Sequence, residues 1–258
     1  LADSKQRKGR AGRTKPGIYI DHCEEVFRFD FPKAEIERFR LDQTVLRLAE
    51  VGFDMEALEF FHQPDRSSIH IAKESWKKLG CINDNGKVTA IGRQVARMPI
   101  SVEYGCMLIE ADKLGVVKDV ITIAAILENG ELHSRKDKDG FENHIWKSYT
   151  KGEYDSDILA QLNLYKYAEE VKPFEMVEAG IRVGAFFRTQ QLRNNLERSL
   201  RRFVRDVESE GTRENVIKAL CAGMVNHLYK RDYRWYMGSD EVRRELNRET
   251  VIRATGDL

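Results

Sequence analysis

The alternation of apolar and polar positions divides this chain into a short β-like run, a helix–helix–hairpin–helix unit, a long helical stretch and a second β-like run. Pro16-Gly17 followed by Ile18-Tyr19-Ile20 predicts a loop feeding a strand. Leu41, Val45, Leu48 and Ala49 then recur at helical spacing, with Gly52 placed to stop the helix. A second helix is predicted after Pro64, with Ile69, Ala72, Trp76 and Leu79 on one stripe and Gly80 as its stop. Cys81 to Val88 carries Asn85-Gly86, which predicts a hairpin with a type I′ turn, since both central residues there need positive φ. Thr89 caps a third helix bearing Ile91, Val95 and Met98 and ended by Pro99.

From Ser101 the pattern is purely helical: Met107, Ala111 and Leu114 form one stripe, and Val117, Val120, Ile121, Ala124 and Leu127 another. Asn129-Gly130 breaks it, and the polar stretch from Glu131 to Glu153, with His133 to Gly140 at its heart, predicts a long surface loop with a mobile tip. Helices resume at Ile158, Leu159, Leu162 and Tyr165, pause at Pro173, and return with Leu196, Leu200, Phe203 and Val207. A last helix carries Ile217, Leu220, Cys221, Met224 and Leu228, and Tyr233 to Met237 predicts a strand, with a turn at Gly238 to Asp240. The fold class is therefore mainly α, with a winged-helix-like unit followed by a helical bundle.

Composition sharpens this picture. Over 258 residues, 41% are hydrophobic and 33% charged, enough to bury real cores while leaving charge-laced helix faces. No apolar run approaches the ~20 residues of a membrane span, and no cleavable leader is visible. The four cysteines are widely spaced, which argues against a zinc site or disulfide framework and for ordinary thiols in a reducing, cytoplasmic setting. The net charge of +1 hides a bias: six basic residues against Asp3 make residues 1–15 locally +5, leaving −4 for the remainder. A basic start suits a phosphate-rich partner, and equally a solvated basic tail.

The chemistry concentrates in Gln6-Arg7-Lys8-Gly9-Arg10-Ala11-Gly12-Arg13. Two arginines three residues apart, each behind a glycine, set planar guanidinium forks on a backbone with little bulk, a pattern suited to phosphate oxygens. Gln6 to Arg13 resembles the QRxGRxGR motif of DEAH-type helicases. Leu79-Gly80-Cys81-Ile82 through Val88-Thr89-Ala90-Ile91-Gly92-Arg93 to Met98-Pro99 is similar to that family's winged-helix signature. Asp119 to Leu127 resembles its EILTIAAML helix, Ser156 to Tyr165 its GDHLTLLNVY segment, and Lys218 to Met224 its KAICAGF helix. The WC-and-NF stretch of the family is not recognisable, and Gly184-Ala185-Phe186-Phe187 stands near its place.

The resemblance implies the C-terminal part of an ATP-dependent RNA helicase cut at both ends. It divides into 1–32, the tail of the second RecA-like domain; 33–99, a winged helix; 100–210, a helical ratchet; and 211–258, an incomplete OB fold. It further implies that Arg10 and Arg13 act as fingers on the γ-phosphate, with Gln6 beside the attacking water and Gly9 and Gly12 shaping the loop. ATP and Mg²⁺ would then be cofactors of the parent protein. Because GxxxxGK[ST] and DEAH strings are missing, this stretch alone is expected to be inactive and to bind neither. Expected partners are single-stranded RNA (or DNA) and the N-terminal RecA-like domains of the same polypeptide, with no membrane. Arg193, Arg198, Arg201, Arg202 and Arg205 form the best internal basic stripe, which would track a nucleic-acid backbone or be a solvated face. Tyr233, Trp235 and Tyr236 are candidates for base stacking. Trp76 and Trp146 are expected in packing roles, and no histidines pair at metal-ligand spacing. The competing function class is a winged-helix and helical-bundle module that docks a protein or DNA.

Overall fold

The structure is a computed structural model that describes residues 2–12, 14–20, 22, 34, 36, 41–135, 142–153, 155–205, 207–208, 210–233, 235–238, 240–247 and 250–252. Its first element is helix α1, Ala2–Lys8. Pro16 to Ile20 adopts no regular structure, so the strand predicted there does not form. A strand is only as stable as the ladder it joins, and Ile18, 89% exposed, has no sheet to join among the described residues.

The winged-helix unit follows. Helix α2, Asp42–Glu50, closes at Gly52 through a bond from Phe53 N–H to the Leu48 carbonyl. Helix α3, Arg66–Lys78, is capped by the Asp65 carboxylate, which accepts from Ser67 N–H. Helix α4, Ala90–Arg97, is capped by Thr89, whose hydroxyl accepts from Gly92 N–H and donates to the Gly80 carbonyl. Helix α2 binds the far end of α4 with side chains: Gln43 Nε2 donates to Met98 O at 3.0 Å and Arg47 Nε to Ala96 O at 3.0 Å. Orphan carbonyls of a helix C-terminus are thereby satisfied by donors on a neighbouring helix.

Between α3 and α4 the hairpin forms, but its turn differs from the expected one. Gly86 N–H bonds the Asn83 carbonyl, and Gly86 alone, at φ 74°, has positive φ, whereas Asn85 does not. The Asn83 side chain takes the place of the left-handed Asn by accepting from both Asn85 N–H and Lys87 N–H. This is an Asx-stabilised turn with glycine at the bulge position, and the ladder beyond it is the single bridge Ile82–Val88. The unit's core gathers Leu46, Met55, Ile69, Trp76, Val95 and Cys106.

The helical bundle comprises α5, Val102–Leu114; α6, Val117–Asn129; α7, Asp157–Glu170; α8, Pro173–Glu178; α9, Val183–Leu200; and α10, Arg213–Gly223. Pro173, expected to interrupt the helices, begins one, as its fixed φ and missing N–H allow at a first helical position. Helix α5 faces two ways, with Val102 and Cys106 in the winged-helix core and Met107, Leu108 and Ala111 in the bundle core with Val120, Ile121 and Leu220. At the α5–α10 contact a Cβ on Gly223 would lie 2.2 Å from the Glu103 carbonyl oxygen, so only glycine fits.

The segment 131–153 is not the surface loop its polarity predicts, although residues 136–141, within the stretch expected to be mobile, lie outside the described residues. Leu132, Trp146 and Thr150 are buried in or against a third core that includes Tyr165, Ile181 and Phe186. A short 3₁₀ helix, Ile145–Tyr149, seats Trp146, whose ring stacks on His133 at 4.0 Å. Gln161 from α7 accepts from Leu132 N–H and donates to His133 Nδ1, both at 2.9 Å. Buried polar residues of this stretch such as Asn143, Thr150 and Glu153 are hydrogen-bonded inside the protein, which is how polar groups come to be buried.

After α10 come three antiparallel strands in the order β1-β2-β3: Lys230–Asp232, Trp235–Met237 and Arg243–Arg244. The chain then returns to the bundle, where Val251 is buried and Asp157 accepts from Val251 N–H and the Thr250 hydroxyl. No helix among the described residues is long and apolar enough to cross a membrane.

Candidate functional site

The glycine–arginine motif begins inside α1 rather than in a loop. Gln6 lies in its last turn, and Gly9, Arg10 and Ala11 wind off it through bonds to the carbonyls of Lys5, Arg7 and Lys8. Gly12 then takes φ 85°, a left-handed conformation that bends the chain back so that a Cβ on Gly17 would lie 2.9 Å from Gly12 N. Gln6 and Arg10 are exposed, and among the described residues neither side chain makes a hydrogen bond or ion pair. Arg13 lies outside the described residues.

That freedom separates Arg10 from the arginines that hold the fold together. Arg213 grips the buried Glu153 carboxylate with two bonds of 2.8 and 2.9 Å, which holds that carboxyl below the usual carboxylate range. Arg47 caps α4, as above. Guanidinium groups with fixed partners are structural, whereas one held in water by a small-residue turn can meet an incoming phosphate with its whole fork. Gln6 and Arg10 thus present amide and guanidinium donors of the kind that binds phosphate oxygens.

The basic stripe is divided by the structure. Arg193 turns inward, 9% exposed, and its guanidinium bonds Glu169 at 2.8 Å and approaches Glu197 at 3.8 Å. Burial works against its charge, but Tyr165, Glu169 and Glu197 more than offset this, and its pKa is raised. A guanidinium so engaged is a tie between α7 and α9 and leaves the proposed nucleic-acid face. It faced the bundle because the 3.6-residue period puts it beside Thr189 and Leu200. Helix α9 ends at Leu200, so Arg201, Arg202 and Arg205 follow in the turn beyond it. Arg198, Arg201, Arg202 and Arg205 are all exposed. Arg201 pairs with Glu197 and Arg205 with Asp112 at 3.7 Å, while Arg202 lies over the Phe203 ring at 4.8 Å without an anionic partner among the described residues.

The aromatic candidates are also separated. Tyr233 is the turn residue between β1 and β2, at φ 54° and 76% exposed, while Trp235 and Tyr236 lie in β2. Register pairs Arg231 with Tyr236 and Tyr236 with Arg244, so an aromatic side chain stands between two arginines in one row across the sheet. Sequence reading missed these arginines because β1, Lys230–Asp232, is wholly polar and shows no alternation. Arg244 also lies over the Tyr229 ring at 5.0 Å and pairs with Asp240, whose carboxyl it draws down to about 2. Among the described residues no group of three or more His, Cys, Asp or Glu could hold a metal ion.

Residues 77–100 match the family described as helicase associated domain (HA2), winged-helix. This span covers the end of α3, the hairpin and α4. The chain is 30% identical over 240 residues to the pre-mRNA-splicing factor ATP-dependent RNA helicase prp22 of Schizosaccharomyces pombe, covering 90% of this chain and 20% of that protein. It is 31% identical over 179 residues to the ATP-dependent RNA helicase HrpA of Escherichia coli, covering 66% of this chain and 14% of that protein. The chain thus spans about a fifth or less of the length of these curated relatives.

Proposed function

We infer function from the premise that this chain belongs to the DEAH-type helicases and corresponds to their C-terminal region. It serves an ATP-dependent RNA helicase that couples hydrolysis to movement along a single strand. Within it, residues 1–32 are the tail of the second RecA-like domain, 33–99 the winged helix, 100–210 the ratchet and 211–258 the beginning of an OB fold. The N-terminal RecA-like domains of the same polypeptide would complete the ATP site. The proposed setting is cytoplasmic.

The observation that carries the reading is the exposed Arg10 beside Gln6, whose side chains make no hydrogen bond or ion pair among the described residues, whereas Arg213 and Arg47 are tied to fixed partners. Bound ATP with Mg²⁺ supplies the phosphoryl group whose transfer to water releases the energy for movement. Arg10, joined by Arg13, would place positive charge against the γ-phosphate oxygens, where charge develops in the transition state. Gln6 would orient the attacking water through its amide. Gly9 and Gly12 would let the backbone approach closely.

For the nucleic acid, Arg198, Arg201, Arg202 and Arg205 supply phosphate contacts, and the row Arg231–Tyr236–Arg244 offers a stacking ring between two cations. Tyr233, at the exposed turn, and Trp235 extend this face. The winged helix serves as a packing module, since α3 gives Trp76 and Ile69 to the core. Titration of the chain with a single-stranded RNA and a duplex DNA at two salt concentrations tests this part of the reading. Few phosphate contacts predict a Kd of roughly 10⁻⁴ to 10⁻⁶ M that weakens steeply with salt. Arg201→Glu with Arg202→Glu should weaken it further and flatten the salt slope. Tight, sequence-specific duplex binding that survives high salt would support the DNA-docking module instead.

A further inference from the structure

Two cysteines that the sequence separates by 25 residues meet in the winged-helix core, with Sγ atoms 3.6 Å apart. Cys81 closes the C-terminal turn of α3 and is fully buried, its N–H bonded to the Trp76 carbonyl. Cys106 lies on α5, the helix shared between the winged-helix and bundle cores, and is 5% exposed. Both are free thiols, as is the exposed Cys221 on α10.

We propose that Cys81 and Cys106 are an oxidation site, a dithiol that reacts with hydrogen peroxide and closes into an intrachain disulfide. The sulfurs are already in van der Waals contact, and bonding requires them to approach by about 1.5 Å, to the ~2.05 Å of a disulfide. The Cys106 thiol hydrogen-bonds Cys81 and holds its pKa below the usual thiol value, while the same bond and burial push Cys106 up. Oxidation of either sulfur first gives the same disulfide. One route begins at Cys81. Its sulfur attacks one peroxide oxygen, the O–O bond breaks, and the departing hydroxide takes up the proton Cys81 released, giving Cys81 sulfenic acid and water. The Cys106 sulfur then attacks the Cys81 sulfur, the S–O bond breaks, and the hydroxyl leaves as a second water with the Cys106 proton. Two thiols are oxidised and one peroxide is reduced. The product staples the hairpin edge of the winged helix to α5, and a thiol reductant reverses it.

The test treats the folded chain with hydrogen peroxide, alkylates the remaining thiols in denaturant, digests and analyses the peptides by mass spectrometry. A Cys81–Cys106 linked pair is expected, lost on treatment with dithiothreitol and formed in several-fold lower yield when peroxide is added in urea. Neither Cys81→Ala nor Cys106→Ala should give a linked pair, since the disulfide needs both core sulfurs. If Cys106→Ala does not fold, the linked pair in the unaltered chain decides alone. Recovery of both Cys81 and Cys106 as alkylated thiols while Cys221 is oxidised would overturn the proposal. Equal linkage in urea would do so too.

Discussion

Replacing Arg193 with methionine separates a structural arginine from a nucleic-acid contact. The substitution keeps the aliphatic stem and removes the guanidinium that bonds Glu169 and faces Glu197. Breaking a fully buried pair by removing one partner costs about 3–5 kcal/mol. Here the Glu169 and Glu197 side chains retain 33% and 20% exposure, so water recovers part of their solvation. Arg193 Nε is itself buried without a hydrogen-bond partner, so its removal also relieves a cost. About 2 kcal/mol of destabilisation results. At roughly 2–4 °C per kcal/mol for a chain of this size, Tm should fall by ~4–8 °C, read by circular dichroism. RNA affinity measured well below the transition should stay the same, with an unchanged salt slope. An unchanged Tm with weakened RNA binding would refute the assignment of Arg193 as a tie between α7 and α9.

Four further substitutions follow from the same reasoning. Asn85→Ala should change stability by less than about 0.5 kcal/mol, since Asn85 does not hold positive φ. Asn83→Ala should cost about 1 kcal/mol because two backbone N–H groups lose their acceptor; chemical denaturation showing the reverse order would restore the type I′ turn. Trp146→Ala should cost about 3–5 kcal/mol, a core-sized loss, and a change below 1 kcal/mol would return residues 142–153 to the surface. Glu153 has a depressed pKa in the folded protein, so its bond to Arg213 adds stability that is present above the unfolded carboxylate value of ~4.3 and lost as pH falls through the folded value. Arg213→Ala should therefore reduce the difference in Tm between pH 7 and pH 3; an unchanged difference would show that the pair contributes nothing.

Helices with a clean 3.6-residue period and a capping residue were legible from sequence: α3 from Asp65 to Gly80 and α4 from Thr89 both form where their patterns place them. Other features were not. The segment 131–153 reads as polar because its buried groups, such as His133 and Thr150, are satisfied by partners distant in sequence or by its own backbone. Arg193 is chemically identical to its exposed neighbours, and only the position of Glu169 on another helix shows that it turns inward. The cross-strand row at Tyr236 depends on register, which a polar β1 does not reveal. The site motif was legible as a string of residues, but its helical start at Ala2 was not, because glycine–arginine composition predicts a loop.

In the proposed function, Arg10 is held free for phosphate and contributes nothing to the fold. The most direct measurement is the steady-state rate of ATP hydrolysis, with saturating single-stranded RNA, of the Arg10→Ala form of the helicase that carries this chain, alongside its Tm. An arginine of this kind is worth roughly 10³–10⁵ in turnover, so a loss of at least a hundredfold is expected, with Tm unchanged within about 1 °C, as suits an exposed side chain without partners. Undiminished hydrolysis, or a Tm lowered by several degrees, would contradict it.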